Sequence, residues 1–240
     1  MKVYWTPWCE YQKGDLRTPE CMILFEEPTP VYKELSPSRD MGSDNYFKCP
    51  AFIDLCKNTY VVKAPFDLDV HYNQLNETLH ISQAQDIYDL YCTNRPKGPN
   101  ARKIITLPPR YLFYSDDDIM MESLPCFLQN SKIKWDLIPG KYNIGKWIRP
   151  IDFTIELHDE HHTLHFKKND PLFYIRFTTK NDEKIELERV EFTKQLYDLG
   201  DACTAVKKRQ GDTPLKTLYE SAESFLKAFR KKEKKSQNNT

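Results

Sequence analysis

All six histidines of the chain, His71, His80, His158, His161, His162 and His165, fall in two short stretches, residues 65–92 and 150–177. Imidazole and carboxylate are the ligands of zinc and non-haem iron sites. A strand register derived below sets His71 opposite His80, and His165 opposite Glu156 with His158 on the same face. The candidate metal set is therefore His71, His80, Glu156, His158 and His165, with zinc or iron as the metal. Complete signatures are missing from the sequence. No His-x-His is present for a cupin-type site, and His158-Asp159-Glu160 supplies the first half of an oxygenase pattern without the distant histidine of its second half. Histidines on the polar face of a hairpin also read plainly as exposed polar residues.

Other chemistry-bearing groups are weaker. Asp116, Asp117 and Asp118 are consecutive, whereas a calcium loop alternates its ligands and ends on a glutamate, so a solvated turn is expected. Arg95, Lys97, Arg102 and Lys103 interleave with prolines in residues 93–103; a phosphate-contacting loop and an exposed linker both fit, and the linker is preferred. Trp5 and Trp8 suit either a ligand groove or the anchoring of the first strand on a core. Pro139-Gly140 and Asn143-Ile144-Gly145 read as turns. Nucleophile-elbow, phosphate-loop and dinucleotide glycine patterns do not occur in the sequence.

The elements that must position these residues follow from a repeat. Residues 65–92 and 150–177 align without a gap at an offset of 85, sharing Pro65/Pro150, Asp67/Asp152, Thr78/Thr163, Leu79/Leu164 and His80/His165. In the second copy Ile151, Phe153, Ile155 and Leu157 alternate with polar residues, the period-2 pattern of a half-buried strand. A four-residue loop then sets Leu157 opposite Leu164, Ile155 opposite Phe166 and Glu156 opposite His165. The same rule in the first copy pairs Tyr72 with Leu79, Val70 with Ile81 and His71 with His80. A slip of one residue would turn His165 into the core, which its desolvation cost disfavours. Third strands are expected at Ile87–Cys92 and Leu172–Phe177, and others at residues 2–5, Met22–Phe25, Tyr111–Tyr114, Ile119–Leu124, Ile133–Leu137 and Lys184–Phe192.

The period then lengthens. Phe192, Leu196, Leu199, Cys203 and Val206 recur at helical spacing, interrupted by Gly200. Thr213 and Pro214 form a helix start, and Leu215, Leu218, Ala222, Phe225, Leu226 and Phe229 make an apolar stripe. The fold class is mainly β, a duplicated β unit forming a sandwich or double barrel, with two C-terminal helices. The expected organisation is a β-rich body over residues 1–192, with pseudo-repeat units at about 20–107 and 110–190, followed by helices and a basic tail over 193–240. The helical stripe is expected to dock on the β body, with self-association through these helices as the alternative.

The totals narrow the class. The chain has 240 residues, 35 basic against 35 acidic, and 13% aromatics. A core that needs no disulfide staples is possible at this length. Zero net charge argues against binding nucleic acid or an anionic membrane through the whole surface. Seven cysteines form no Cys-x-x-Cys pair, which disfavours zinc ribbons and redox dithiols and suits a reducing compartment. No signal peptide or membrane-spanning run is read, so a host-cytoplasmic or virion location is expected.

The run IPGKYNIGKWIRPIDFTIEL, followed by KKNDPLFYIRF, resembles a family of uncharacterised proteins encoded by tailed bacteriophages. The resemblance rests on Trp147, Arg149 and Pro150, on Asp170–Phe177, and on Lys48-Cys49-Pro50-Ala51-Phe52. It implies a viral setting and no activity. The leading expectation is a non-enzymatic viral β-sandwich protein that binds a virion or host protein. The alternative is a metal-dependent enzyme of double-barrel, cupin-like type using the histidine cluster.

Overall fold

The computed structural model describes residues 1–8, 11–12, 15–16, 26–35, 46–73, 78–81, 93–94, 104–127, 135–158, 163–209 and 213–237. In chain order the elements are β1 (Lys2–Pro7), β2 (Tyr11–Gln12), β3 (Asp15–Leu16), β4 (Thr29–Pro30), α1 (Val31–Glu34), a 3-10 turn at Tyr46–Lys48 and α2 (Pro50–Cys56). Next come β5 (Thr59–Lys63), β6 (Leu68–Asn73), β7 (Thr78–Ile81), β8 (Thr93–Asn94), β9 (Ile104–Tyr114), β10 (Met120–Leu124), β11 (Trp135–Leu137) and β12 (Lys141–Asn143). The chain continues through β13 (Pro150–Leu157), β14 (Thr163–Phe166), β15 (Pro171–Thr178), β16 (Glu186–Arg189), α3 (Lys194–Arg209) and α4 (Leu215–Gln237). The chain is mainly β, and its two long helices are C-terminal. The strands expected at Met22–Phe25 and Ile87–Cys92, the basic residues of 95–103, and His161 and His162 lie outside the described residues.

One sheet has the order β11-β13-β9-β1-β16, with β8 added to the first part of β9; a second has the order β12-β10-β15-β5-β4. They pack face to face in a sandwich-like arrangement. Phe153 stacks on Phe173 with centroids 5.5 Å apart, and Phe113 meets Phe177 edge-on at 5.6 Å. Offset and edge-on ring pairs are the favoured aromatic geometries. Both sheets are also covered on their outer sides. Tyr114 of β9 meets Phe229 of α4 at 6.2 Å. Tyr174 of β15 joins Val31, Leu35, Phe47, Cys56 and Val61 in a second, smaller core beneath α1 and α2. Strands wrapped on both faces lose the simple alternation of a half-exposed strand, and β13 and β15 are accordingly buried almost throughout.

The β9–β13 ladder is irregular where Pro108 and Pro109 fall: Ile151 pairs with Tyr111, but Phe153 pairs with Leu107. Proline has no amide hydrogen to give a ladder, so the register shifts there. Further along, the Thr106 and Thr154 hydroxyls meet at 3.1 Å inside the core, each satisfying a buried polar group in the other.

The helical reading of the C-terminal region holds. Phe192, Leu196, Leu199 and Cys203 are buried, as are Leu218, Ala222, Leu226 and Phe229, all in the main core. Leu215 and Phe225 depart from the expected stripe, each 40% exposed. The interrupting Gly200 has a packing reason, since a Cβ there would lie 2.5 Å from the Trp8 ring. Trp8 also stacks on Tyr197 at 5.2 Å and is buried with Trp5. Trp8 therefore anchors the end of the first strand to α3, while Trp5 packs inside the core against Tyr111 of β9 at 5.8 Å. Pro50–Cys56 forms a helix where the sequence pattern predicts no element.

The first hairpin has the expected register: Val70 opposes Ile81, His71 opposes His80 and Tyr72 opposes Leu79. The second hairpin is corrected. β14 does not return along β13; it pairs with β6, setting Leu164 opposite Val70 and His165 opposite Asp69. Ile155 instead lies between Leu137 of β11 and Ile105 of β9. Strands thus occur at matching positions of the two copies with different partners. Phe166 still reaches β13 by packing, 6.1 Å from the Phe153 ring, with Trp135 filling the angle between them. Since Ile155 is fully buried, Ile155→Asp is expected to lower unfolding free energy by about 3 kcal/mol or more through an unpaired buried carboxylate. Glu156→Ala, at a partly exposed position, should cost less than about 1 kcal/mol. Urea unfolding of both variants checks the pair.

Candidate functional site

The histidine set divides between two sheets. His71, His80 and His165 lie on the three-stranded sheet of order β14-β6-β7. The exposed His71 shares a 3.2 Å hydrogen bond between Nδ1 and Thr163 Oγ1, and His165 Nδ1 lies 2.6 Å from Asp69 Oδ1. The two rings stand edge-on with centroids 6.5 Å apart. Glu156 and His158 belong instead to the β11 side of the six-stranded sheet, where His158 Nε2 lies 3.3 Å from Asp136 Oδ2 and Glu156 opposes Asp136 across the ladder. The opposition of Glu156 and His165 is therefore not formed. Among the described residues, no three His, Cys, Asp or Glu side chains are grouped so as to hold a metal ion.

The acidic run is engaged in structure. Asp116 pairs with Arg230 at 3.2 Å, and Asp118 pairs with Lys146 at 3.2 Å and also accepts from Asn143 Nδ2. Arg230 of α4 further donates from Nη2 to the carbonyls of Ser115 and Gly145, at 3.2 and 3.1 Å. The last helix is thereby pinned to two loops of the β body.

Those loops meet at a turn that pattern reading left without a role, residues 144–149 between β12 and β13. Asn143 builds it: its side-chain oxygen accepts from Gly145 N at 2.9 Å, and its carbonyl accepts from Trp147 N at 3.0 Å. Ile144 N donates to Ile119 O at 3.0 Å, Asn143 N donates to the Tyr219 hydroxyl at 2.9 Å, and Trp147 Nε1 donates to Cys203 O at 2.8 Å. Both long helices and the acidic loop thus fix the same six residues. The turn ends at Arg149, whose guanidinium carbon lies 5.2 Å from the Trp147 ring centre and 5.6 Å from that of Tyr142. A cation over aromatic faces is attracted by their quadrupoles, by about 0.5–2 kcal/mol per pair. Burial pushes the Tyr142 phenol up to about 12, with the Arg149 charge opposing the rise, so the ring stays neutral beneath the cation. The sequence signal for this arrangement was an arginine two residues after a tryptophan and seven after a tyrosine.

A separate exposed concavity lies on α2. It has a volume of about 440 Å³ and is lined by Tyr32, Pro50, Ile53, Asp54, Cys56 and Lys57. Ile53 is 44% exposed there, while Lys57 at the rim is paired with Asp182. The smaller core lies underneath, with Phe47 and Phe52 meeting edge-on at 5.7 Å.

The chain matches no protein-family model and no curated protein. No helix among the described residues is long and apolar enough to cross a membrane.

The geometry of the turn depends on the close approach at Gly145. A Cβ there would lie 2.1 Å from the Asp117 carbonyl oxygen and 3.3 Å from Asn143 Oδ1. Gly145→Ala must displace backbone and is expected to destabilise the protein by about 2–3 kcal/mol. Gly140→Ala, whose Cβ would meet only Ser123 Oγ at 3.9 Å, should change stability little. Thermal melts of the two alanine variants make the comparison.

Proposed function

We propose that this chain is a non-enzymatic β-sandwich protein of a tailed bacteriophage that binds another protein, in the virion or in the cytoplasm of the infected host. The single observation that supports it is the exposed apolar concavity on α2. Ile53 stands in solvent beside Pro50 and Tyr32 while its helix neighbour Cys56 is buried in the core below. A rigid apolar recess rimmed by Asp54 and Lys57 suits a partner that inserts one apolar side chain between charges of its own. The Lys48–Phe52 run that carries part of the phage resemblance enters the same helix. Self-association through the C-terminal helices is a weaker reading, because most of their apolar stripe is spent on the chain's own core.

The competing reading is a metal-dependent enzyme of double-barrel type, supported by His71, His80 and His165 lying on one small sheet. One set of experiments separates the two. A photo-crosslinking amino acid placed at position 53 and expressed in infected cells is expected to capture one phage or host protein, identifiable by mass spectrometry. The same residue at the exposed position 191 should capture none, and Ile53→Glu should abolish co-purification with the captured protein without altering the melting temperature. Stoichiometric zinc or iron in untagged protein, lost in His71→Ala and His165→Ala, together with no position-53 product, would replace the binding reading with the enzymatic one.

A further inference from the structure

We infer that the cleft between the 144–149 turn and the start of α4 is a binding site for an organic carboxylate carried on an apolar group, with Arg149 as its receptor. The cleft has a volume of about 330 Å³ and includes Tyr142, Trp147, Arg149, Asp152, Leu215 and Leu218 in its lining. Arg149 Nε is buried and has no hydrogen-bond partner. Among the described residues no carboxylate pairs with the guanidinium; the basic neighbours Lys141 and Lys146 are each matched by an acid, Glu122 and Asp118. A guanidinium presents five donors in a planar fork, and leaving one of them buried and unpaired costs free energy. Hydrogen bonds hold the turn and two rings hold the side chain, so the donors are pre-oriented before any ligand arrives.

Three features select the ligand. The fork geometry of arginine matches a two-oxygen acceptor. The start of α4, a 23-residue helix, enters the same lining at Leu215, with Thr213 just before it, and brings the positive end of its dipole to the cleft. Inorganic phosphate carries no group for the apolar side of the cleft, which favours an organic carboxylate. Ile151, Leu215 and Leu218 supply an apolar wall for the group that bears it. This site is independent of the α2 recess, and either can fail alone.

The test is calorimetric titration of the full chain with acetyl-Ala-Ala-Leu bearing a free C-terminus, its C-terminal amide, N-acetyl-leucine and inorganic phosphate. The indole N–H resonance of Trp147 serves as a local reporter. The free carboxylates are expected to bind and shift that resonance. The amide should bind about tenfold more weakly or worse, as loss of a charge-assisted pair implies. Arg149→Lys, which keeps the charge and loses the fork, should weaken binding by a similar factor. Leu215→Glu, at an exposed position where an acid suits the helix start, should do so without loss of folding. Affinity rising from N-acetyl-leucine to the tripeptide would assign the carboxylate to a peptide C-terminus, and equal affinities would assign it to a small free acid. Phosphate binding as tightly as the carboxylates, binding unchanged in Arg149→Lys and Leu215→Glu, or no binding of any carboxylate would each overturn the inference.

Discussion

The fold depends on one constraint: the six-stranded sheet is apolar on both of its faces, so it must be covered twice. Tyr111 and Phe113 of β9 are buried with the five-stranded sheet, Phe113 against Phe177, while Tyr114, on the opposite side of the same strand, is buried against Phe229 of α4. Neither cover is optional at the order of 25 cal/mol for each Å² of apolar surface withdrawn from water. The C-terminal helices are thus a second cover of the core, as Cys203, Leu218 and Ala222 show by being almost wholly inaccessible to solvent. The five-stranded sheet repeats the problem on a smaller scale, and α1 and α2 solve it over Tyr174.

Covering the sheet with helices has a local consequence. α3 and α4 bring the Cys203 carbonyl and the Tyr219 hydroxyl to the turn after β12, and both are used to fix it. With Ile144 and Ile148 buried and Gly145 pressed against Asp117, the turn has almost no freedom. Arg149 is where that rigidity ends. Two rings attract its charge by about 0.5–2 kcal/mol each, while its buried Nε has no hydrogen-bond partner among the described residues. That open donor is what the cleft offers a ligand in the inference above.

Much of the architecture was legible in the sequence, but unevenly. The hairpin of β6 and β7 follows from local alternation, because few registers join two short strands and one of them sets the apolar residues opposite one another. The helices follow from spacing, and Gly200 marked a real feature whose cause, the Trp8 ring, lies about 190 residues away in the chain. The histidine set was only partly legible. Its polar-face assignment held for the exposed His71 and His165, while grouping them with Glu156 and His158 required a pairing that does not form. Arg149 entered the sequence reading through a resemblance, since its spacing from Tyr142 and Trp147 follows no helical or strand period that would single it out. The helix at Pro50–Cys56 lacks a side-chain cap and is held by the small core, a tertiary cause that local pattern does not carry.

The failure of the second hairpin has a physical explanation in the number of edges a strand possesses. Alternation specifies which face of β14 is buried, and pairing Leu164 with Leu157 or with Val70 satisfies that equally. β13 has two edges, one filled by β9 along most of its length and the other by β11 at Ile155 to Leu157, the stretch β14 would have used. β6 has an edge left after pairing with β7, and β14 takes it at Leu68 to His71. Trp135 shows what favours this exchange. Carried on β11 beside Leu157, it packs on both Phe153 and Phe166, an aromatic contact that a β13–β14 hairpin would exclude. The two aligned stretches therefore share strand positions and still differ in partners, since a period-2 pattern encodes a face and leaves the neighbour to be decided by which edges the rest of the chain has already occupied.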